Sequence, residues 1–214
     1  MYIAIEGVIG VGKTTLAKLL QPVFKAQLLL EAFEENPFLS SFYADRKRYA
    51  FQTQIFFLLS RYRQQREIVP QALASNNLIS DYTFEKDSLF AHLNLEGDEL
   101  ATYDLLHEAL AERILPPDLI VYLKVETDLA LHRIALRDRS YERAMDRPYI
   151  DALNGAYEAH FATQKGRNVL TIDTNGLDFV SRPEHLEYII NRIRHALSIP
   201  PFQRGLPLIG ETEA

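Results

Sequence analysis

Gly7-Val8-Ile9-Gly10-Val11-Gly12-Lys13-Thr14 is the stretch that decides the fold. It fits the pattern G-x-x-x-x-G-K-[ST] and separates two segments of different period. Before it, residues 2–6 (Tyr-Ile-Ala-Ile-Glu) are an apolar run of strand length. After it, residues 13–24 put Leu16, Leu19 and Leu20 on one helical face. A strand, a glycine-rich turn and a helix, in that order, are the context this pattern requires. Glycines let the backbone curl so that successive N–H groups face a polyphosphate at the positive end of the helix. Lys13 then reaches the β- and γ-phosphates, and the Thr14 hydroxyl ligates Mg²⁺. Gly7, Gly10, Val11, Gly12, Lys13, Thr14 and Thr15 are therefore expected to hold a nucleotide's phosphates. A chance glycine-rich turn is the competing reading, and the strand–helix setting argues against it. Such a loop implies a nucleotide but no particular reaction, since ATPases, GTPases, small-molecule kinases and regulatory proteins all carry one.

Working outward, apolar runs of strand length recur with helical stretches between them. Strands are expected over 27–31, 77–81, 119–125 and 169–173. Helices are expected over 37–43, 49–68, 85–93, 98–114, 129–136, 148–164 and 183–197. Strands alternating with helices argue for an α/β fold, here a five-stranded parallel sheet with helices on both faces in three layers. Residues 1–197 read as one domain, and 198–214, rich in proline and glycine, as an irregular tail.

Composition sets the outer bounds. The chain has 214 residues, enough for a substantial core, and 47% apolar with 24% charged residues is ordinary for a globular protein. There is no cysteine, which excludes disulfides, thiolate metal sites and cysteine nucleophiles. A net charge of −6 argues against a general nucleic-acid coat. No apolar run approaches the roughly 20 residues of a membrane span, and residues 1–6 lack the pattern of a signal peptide. A cytoplasmic protein with neither membrane nor nucleic-acid partner is the expectation.

Several charged residues fall at expected ligand edges, because strand C-termini line the crevice where parallel sheets bind ligands. Glu31 ends the second expected strand, so it reads either as the acceptor of a hydroxyl proton or as a solvated carboxylate before a turn. Asp81 ends the third, either near Mg²⁺ or as a helix cap. Gln54 and Arg61 lie seven apart and share a helical face with Phe57, a set able to stack and hydrogen-bond a nucleobase. Taken alone, that face reads more simply as amphipathic, with its polar members in solvent. Arg133, Arg137, Arg139 and Arg143 form a cluster suited to folding over a triphosphate. The interspersed Asp138, Glu142 and Asp146 offer the alternative of a surface helix laced with ion pairs. The six histidines are scattered, and none pairs with another at metal-ligand spacing.

These segments together resemble the deoxynucleoside kinases, with the bacterial purine-specific branch the nearest likeness. The resemblance runs from Ile3 to about Asp173. It rests on Ile5-Glu6-Gly7 through Thr15, Glu31 with Asn36-Pro37-Phe38-Leu39, and Phe51-Gln52-Thr53-Gln54 with Ser60-Arg61-Tyr62. Asp81-Tyr82-Thr83 through Phe90-Ala91 and Leu131-His132-Arg133-Ile134 through Arg139 complete it. The resemblance implies a P-loop kinase fold with an arginine-rich lid, and ATP-dependent phosphorylation of a deoxyribonucleoside 5′-hydroxyl. It implies Glu31 as the base, Tyr43 and Glu142 on the 3′-hydroxyl, and Gln54 with Arg61 and Asp87 on the nucleobase. Asp81 is implied near Mg²⁺, Arg133, Arg137 and Arg139 in the lid, and the segment from Asp173 to Phe179 on the adenine of ATP. A homodimer formed through the helices at 49–68 and 98–114 is implied too, with a heterodimer with a related kinase left open.

One departure matters. Where the family motif reads Glu/Asp-Arg-Ser, this chain has Asp81-Tyr82-Thr83. Tyr82 then stands at a substrate-contacting position without the charge an arginine brings, and that charge must come from elsewhere. A carboxylate at Asp87 suits a base with an exocyclic amino group, and the purine likeness favours deoxyadenosine or deoxyguanosine. Two rivals remain: a thymidylate-kinase-like enzyme acting on a nucleoside monophosphate, and a nucleotide-binding subunit without chemistry of its own.

Overall fold

The computed structural model describes residues 1–143, 145–164 and 168–200. Five parallel strands lie in the order β2-β3-β1-β4-β5. They are β1 (Tyr2–Glu6), β2 (Ala26–Leu29), β3 (Asn77–Ser80), β4 (Leu119–Lys124) and β5 (Val169–Asp173). β1 holds the centre because every one of its residues is buried, and Ile3 lies beside Ile79 of β3 and Leu119 of β4. Strands covered on both faces read as unbroken apolar runs rather than alternating ones.

The two faces of β1 take different helices. Ile3 and Ile5 pack with Leu16 and Leu20 of α1 (Lys13–Phe24). Tyr2 and Ala4 pack with Val69 and Ala72 of α3 (Arg46–Ser75). Successive side chains of a strand point to opposite faces, so α1 and α3 cover opposite sides of the sheet. A further apolar cluster joins Phe42 of α2 (Leu39–Ala44), Leu58 of α3, Ala91 of α4 (Lys86–Asn94) and Tyr103 of α5 (Gly97–Ala111). α6 (Thr127–Arg137) packs on α7 (Arg147–Thr163), and α8 (Pro183–Ala196) on β5.

Three expectations from sequence need correction. The helix expected over 49–68 is a 30-residue element, about 45 Å long at the usual rise per residue. Asp45 starts it by accepting a hydrogen bond from the Arg48 N–H at 3.2 Å, and Pro70 sits inside it without ending it. Its polar residues do not all meet solvent: Gln54, Arg61 and Gln65 are buried. Glu31 and Asp81 follow their strands rather than ending them. β2 is an edge strand with β3 as its neighbour, and the Asp81 N–H makes a last bond to the Leu29 carbonyl. The Asp81 side chain then takes the next rung, accepting from the Glu31 N–H at 2.8 Å. Of the expected tail, 201–214 lies outside the described residues. Among the described residues no helix is long and apolar enough to cross a membrane.

Candidate active site

A cavity of about 650 Å³ opens at the C-terminal edge of the strands. Its floor is the turn between β1 and α1. Gly10 has φ +86°, and an added Cβ would lie 2.6 Å from the Ala130 carbonyl oxygen of α6, so only glycine lets loop and helix approach this closely. Gly12, also left-handed, stands at the N-cap of α1 and provides no side-chain cap. The first turn of α1 contains no acidic residue, so its free N–H groups present positive charge to the cavity. Lys13 donates from Nζ to the carbonyls of Gly7 (2.6 Å) and Val8 (3.1 Å). Burial, and after it repulsion from Lys86, brings its pKa down to about 8 against the pull of Glu6, Glu31 and Asp81.

Opposite the loop stands Glu31. Its Oε1 accepts from Arg61 and its Oε2 from Lys86 at 2.5 Å. Burial pushes this carboxyl up, but Arg61 and Lys86 outweigh it and hold the group well below the ordinary carboxylate range. Arg61 also pairs with Asp87, which is fully buried, and its guanidinium lies 4.4 Å from the Phe57 ring centroid. One carboxylate links this wall to the loop. Asp81 Oδ2 accepts from the Thr14 hydroxyl at 2.5 Å, while Oδ1 holds the Glu31 backbone. Gln54 lines the same wall, 2% exposed, with an amide that both donates and accepts. Beside it the buried Thr53 Oγ1 has no hydrogen-bond partner among the described residues.

The third wall is the C-terminal part of α6 and the segment after it. Arg137 donates from Nη2 to Glu142 Oε2 at 2.5 Å, and Arg139 reaches Glu142 Oε1 at 3.5 Å while lying over the Phe33 ring. Arg133 donates to the carbonyls of Val11 and Thr174. Arg143 pairs with Asp138 in solvent and does not line the cavity, so the cluster divides between the two readings its sequence allowed. Tyr43 stacks on Tyr141 with centroids 6.0 Å apart, and burial raises its hydroxyl pKa well above the ordinary value.

Four expected contacts fall elsewhere. Tyr82 is fully buried and donates its hydroxyl to Gln64 at 2.8 Å, so it turns from the cavity into the cluster beneath the sheet. Asp173 is exposed and caps a turn by accepting from the Asn175 N–H, so of the expected segment from Asp173 to Phe179 only the far end, from Leu177, lines the cavity, together with Val180. Gly7 and Asp87 lie behind the lining, the one under the loop and the other behind Arg61.

Sequence reasoning also missed residues. Lys86 carried a usable signal: it opens a helix, where a cation opposes the helix dipole and needs an anionic partner. Glu6 carried another, as a carboxylate ending an otherwise apolar buried strand. It accepts from the N–H groups of Gly7 and Thr83, the Thr83 hydroxyl and the Tyr157 hydroxyl, which ties the start of the loop to the turn after β3. Burial raises its pKa in spite of Lys86 and Lys13 nearby.

Among the described residues no group of three or more His, Asp or Glu could hold a metal unaided. Mg²⁺ does not need one, because it binds through one or two protein oxygens with substrate phosphates and water. The Thr14 hydroxyl and Asp81 carboxylate, in contact beside the loop, fit that donor set.

Residues 3–198 match the deoxynucleoside kinase family. The chain is 33% identical over 201 residues to the deoxyguanosine kinase of Bacillus subtilis strain 168, covering 92% of this chain and 97% of that one. It is 37% identical over 215 residues to the deoxyadenosine kinase of Dictyostelium discoideum, with coverage of 95% and 86%. Among solved structures, the deoxyadenosine kinase of M. mycoides with products dCMP and a flexible dCDP bound matches with a TM-score of 0.80 at 29% identity. That match covers 91% of this chain and all of the other.

Proposed function

The chain belongs to the deoxynucleoside kinase family, and we propose that it transfers the γ-phosphoryl group of MgATP to the 5′-hydroxyl of a purine deoxynucleoside. The observation that carries this reading is the position of Glu31. Its carboxylate faces the same cavity as the N-terminus of α1, and Asp81 ties the two walls together.

In this mechanism the nucleobase lies between Gln54 and Phe57, with Arg61 fixed by Asp87 at its edge. Tyr43 and Glu142 take the 3′-hydroxyl, which requires Glu142 to share its carboxylate with Arg137. Glu31 orients the 5′-hydroxyl and accepts its proton. The 5′-oxygen bonds to the γ-phosphorus as the bond to the β–γ bridging oxygen breaks, and that electron pair leaves on ADP. Lys13, Arg133, Arg137 and Arg139 balance the charge spread over the phosphoryl oxygens; orientation and electrostatics supply most of the acceleration. Gly10, Val11, Gly12, Thr14 and Thr15 cradle the phosphates. Thr14 and Asp81 would hold Mg²⁺, which would supply further charge neutralisation there. Purine preference is supported by the relatives named for deoxyguanosine and deoxyadenosine.

Residues 1–197 form the catalytic domain in this reading, working in the cytoplasm. A homodimer belongs to the same proposal, supported by Leu59 and Ile68 of α3 and Leu105 and Leu106 of α5, all exposed. Sedimentation that finds a monomer at every concentration overturns the dimer.

The function is tested by phosphoryl transfer from ATP to each of the four deoxynucleosides and their monophosphates. Deoxyadenosine or deoxyguanosine is the expected best acceptor, and Glu31→Gln should lose about 10³-fold in kcat with ATP binding kept. Transfer to a monophosphate alone overturns the assignment. Near-normal turnover in the variant removes Glu31 from the role of base.

A further inference from the structure

Among the described residues six basic side chains face the cavity: Lys13, Arg61, Lys86, Arg133, Arg137 and Arg139. Five of them are held by groups other than Glu31. Lys13 is hydrogen-bonded to loop carbonyls, Arg61 is ion-paired with Asp87, Arg133 is hydrogen-bonded to the carbonyls of Val11 and Thr174, and Arg137 and Arg139 are paired with Glu142. Lys86 differs, because among the described residues its ion pair is with Glu31 alone. It is 5% exposed at the first position of α4, an unfavourable place for a cation unless its charge is used.

Both oxygens of Glu31 are occupied, Oε1 by Arg61 and Oε2 by Lys86. A substrate hydroxyl that donates to this carboxylate competes with both of them for its lone pairs. Arg61 is anchored by a fully buried Asp87, whereas the lysine rides on a flexible four-carbon stem with three donors. The displaced ammonium is then next to the hydroxyl it has yielded to, and so next to the phosphorus under attack. Tyr82, turned into the core, brings no charge to that point.

We propose that Lys86 is a catalytic residue: its ammonium leaves Glu31 when the nucleoside hydroxyl arrives and moves to the oxygens of the phosphoryl group in transfer. The inference rests on the kinase reading above and deepens it. The hydroxyl proton passes to Glu31, the new O–P bond forms to the γ-phosphorus, and the leaving oxygen takes its electron pair to ADP. Lys86 therefore supplies the positive charge that the Asp81-Tyr82-Thr83 segment lacks.

The test compares Lys86→Met, Lys86→Arg, Glu31→Gln and the double variant Glu31→Gln/Lys86→Met in full-length protein, with thermal melting to confirm folding. Lys86→Met is expected to lose about 100-fold in kcat, as when one transition-state donor is removed elsewhere, with the deoxynucleoside KM changed less than threefold. Lys86→Arg should recover part of that loss. The double variant separates two roles. Were Lys86 only to position Glu31, its removal would cost nothing further once Glu31 is glutamine. Contact with the phosphoryl group predicts a further loss of about tenfold or more. Equal rates for Glu31→Gln and the double variant, or parental kcat in Lys86→Met, overturn the proposal while the kinase assignment stands. A parent chain inert toward every deoxynucleoside overturns both.

Discussion

The two walls of the cavity are built from different material. The phosphate wall is backbone: left-handed glycines, the bare N-terminus of α1, and a lysine bonded to its own loop. The nucleoside wall is side chain, an ion-pair network in which Glu31, Arg61, Lys86 and Asp87 come from three separate stretches of sequence and are held almost out of water. Backbone recognition needs glycines at fixed spacing and tolerates many neighbours. A buried charge network fails as a whole, because removing one member leaves another buried and unpaired.

That contrast breaks most sharply at Arg61. Arg61→Met leaves Asp87 buried without its partner, and a loss of about 3–5 kcal/mol in unfolding free energy is expected by urea titration. Replacing both residues, as Arg61→Met with Asp87→Leu, should cost much less. Equal losses in the single and double variants would mean that charge isolation is not what Arg61 prevents. On the phosphate wall, Gly10→Ala forces a left-handed alanine against the Ala130 carbonyl. Strain of about 1–3 kcal/mol should weaken ATP binding roughly tenfold to a hundredfold by calorimetry, with global stability changed less than in Arg61→Met. An unchanged affinity would show that the loop yields more readily than its packing on α6 implies.

The smallest effect is expected away from both walls. His107 of α5 stacks between Phe84 and Tyr103, and burial holds its pKa below the ordinary 6.5. The unfolded chain therefore binds more protons than the folded one as pH falls through and below 6.5. Stability is fully present above that value and declines as the solution is acidified. His107→Phe keeps the stack and should flatten the acid side of a melting-temperature profile. A profile as steep as the parent's would assign that slope to other groups.

The same division explains what the sequence made legible. The octet from Gly7 to Thr14 is contiguous and its residue types are dictated by φ and by anion contact, so the loop, its flanking elements and the parallel sheet could be read directly. α3 was harder. Its buried face carries Gln54, Arg61 and Gln65 between apolar ends, so polarity does not report exposure there, and Pro70, a residue that ordinarily ends a helix, lies inside it. Lys86 and the burial of Asp87 depend on which strand ends lie side by side, a property of the assembled sheet. Tyr82 turned inward because the cluster of Tyr2, Leu78 and Val69 offers its ring apolar cover and Gln64 offers its hydroxyl a partner.

The fork at Asp81 has a mechanical consequence. One short side chain, gripped by Thr14 on one arm and by the Glu31 backbone on the other, works as a spacer gauge between donor and acceptor. Neither half of the pocket can drift alone, and any ligand that draws one arm of the fork away tugs on the opposite bank.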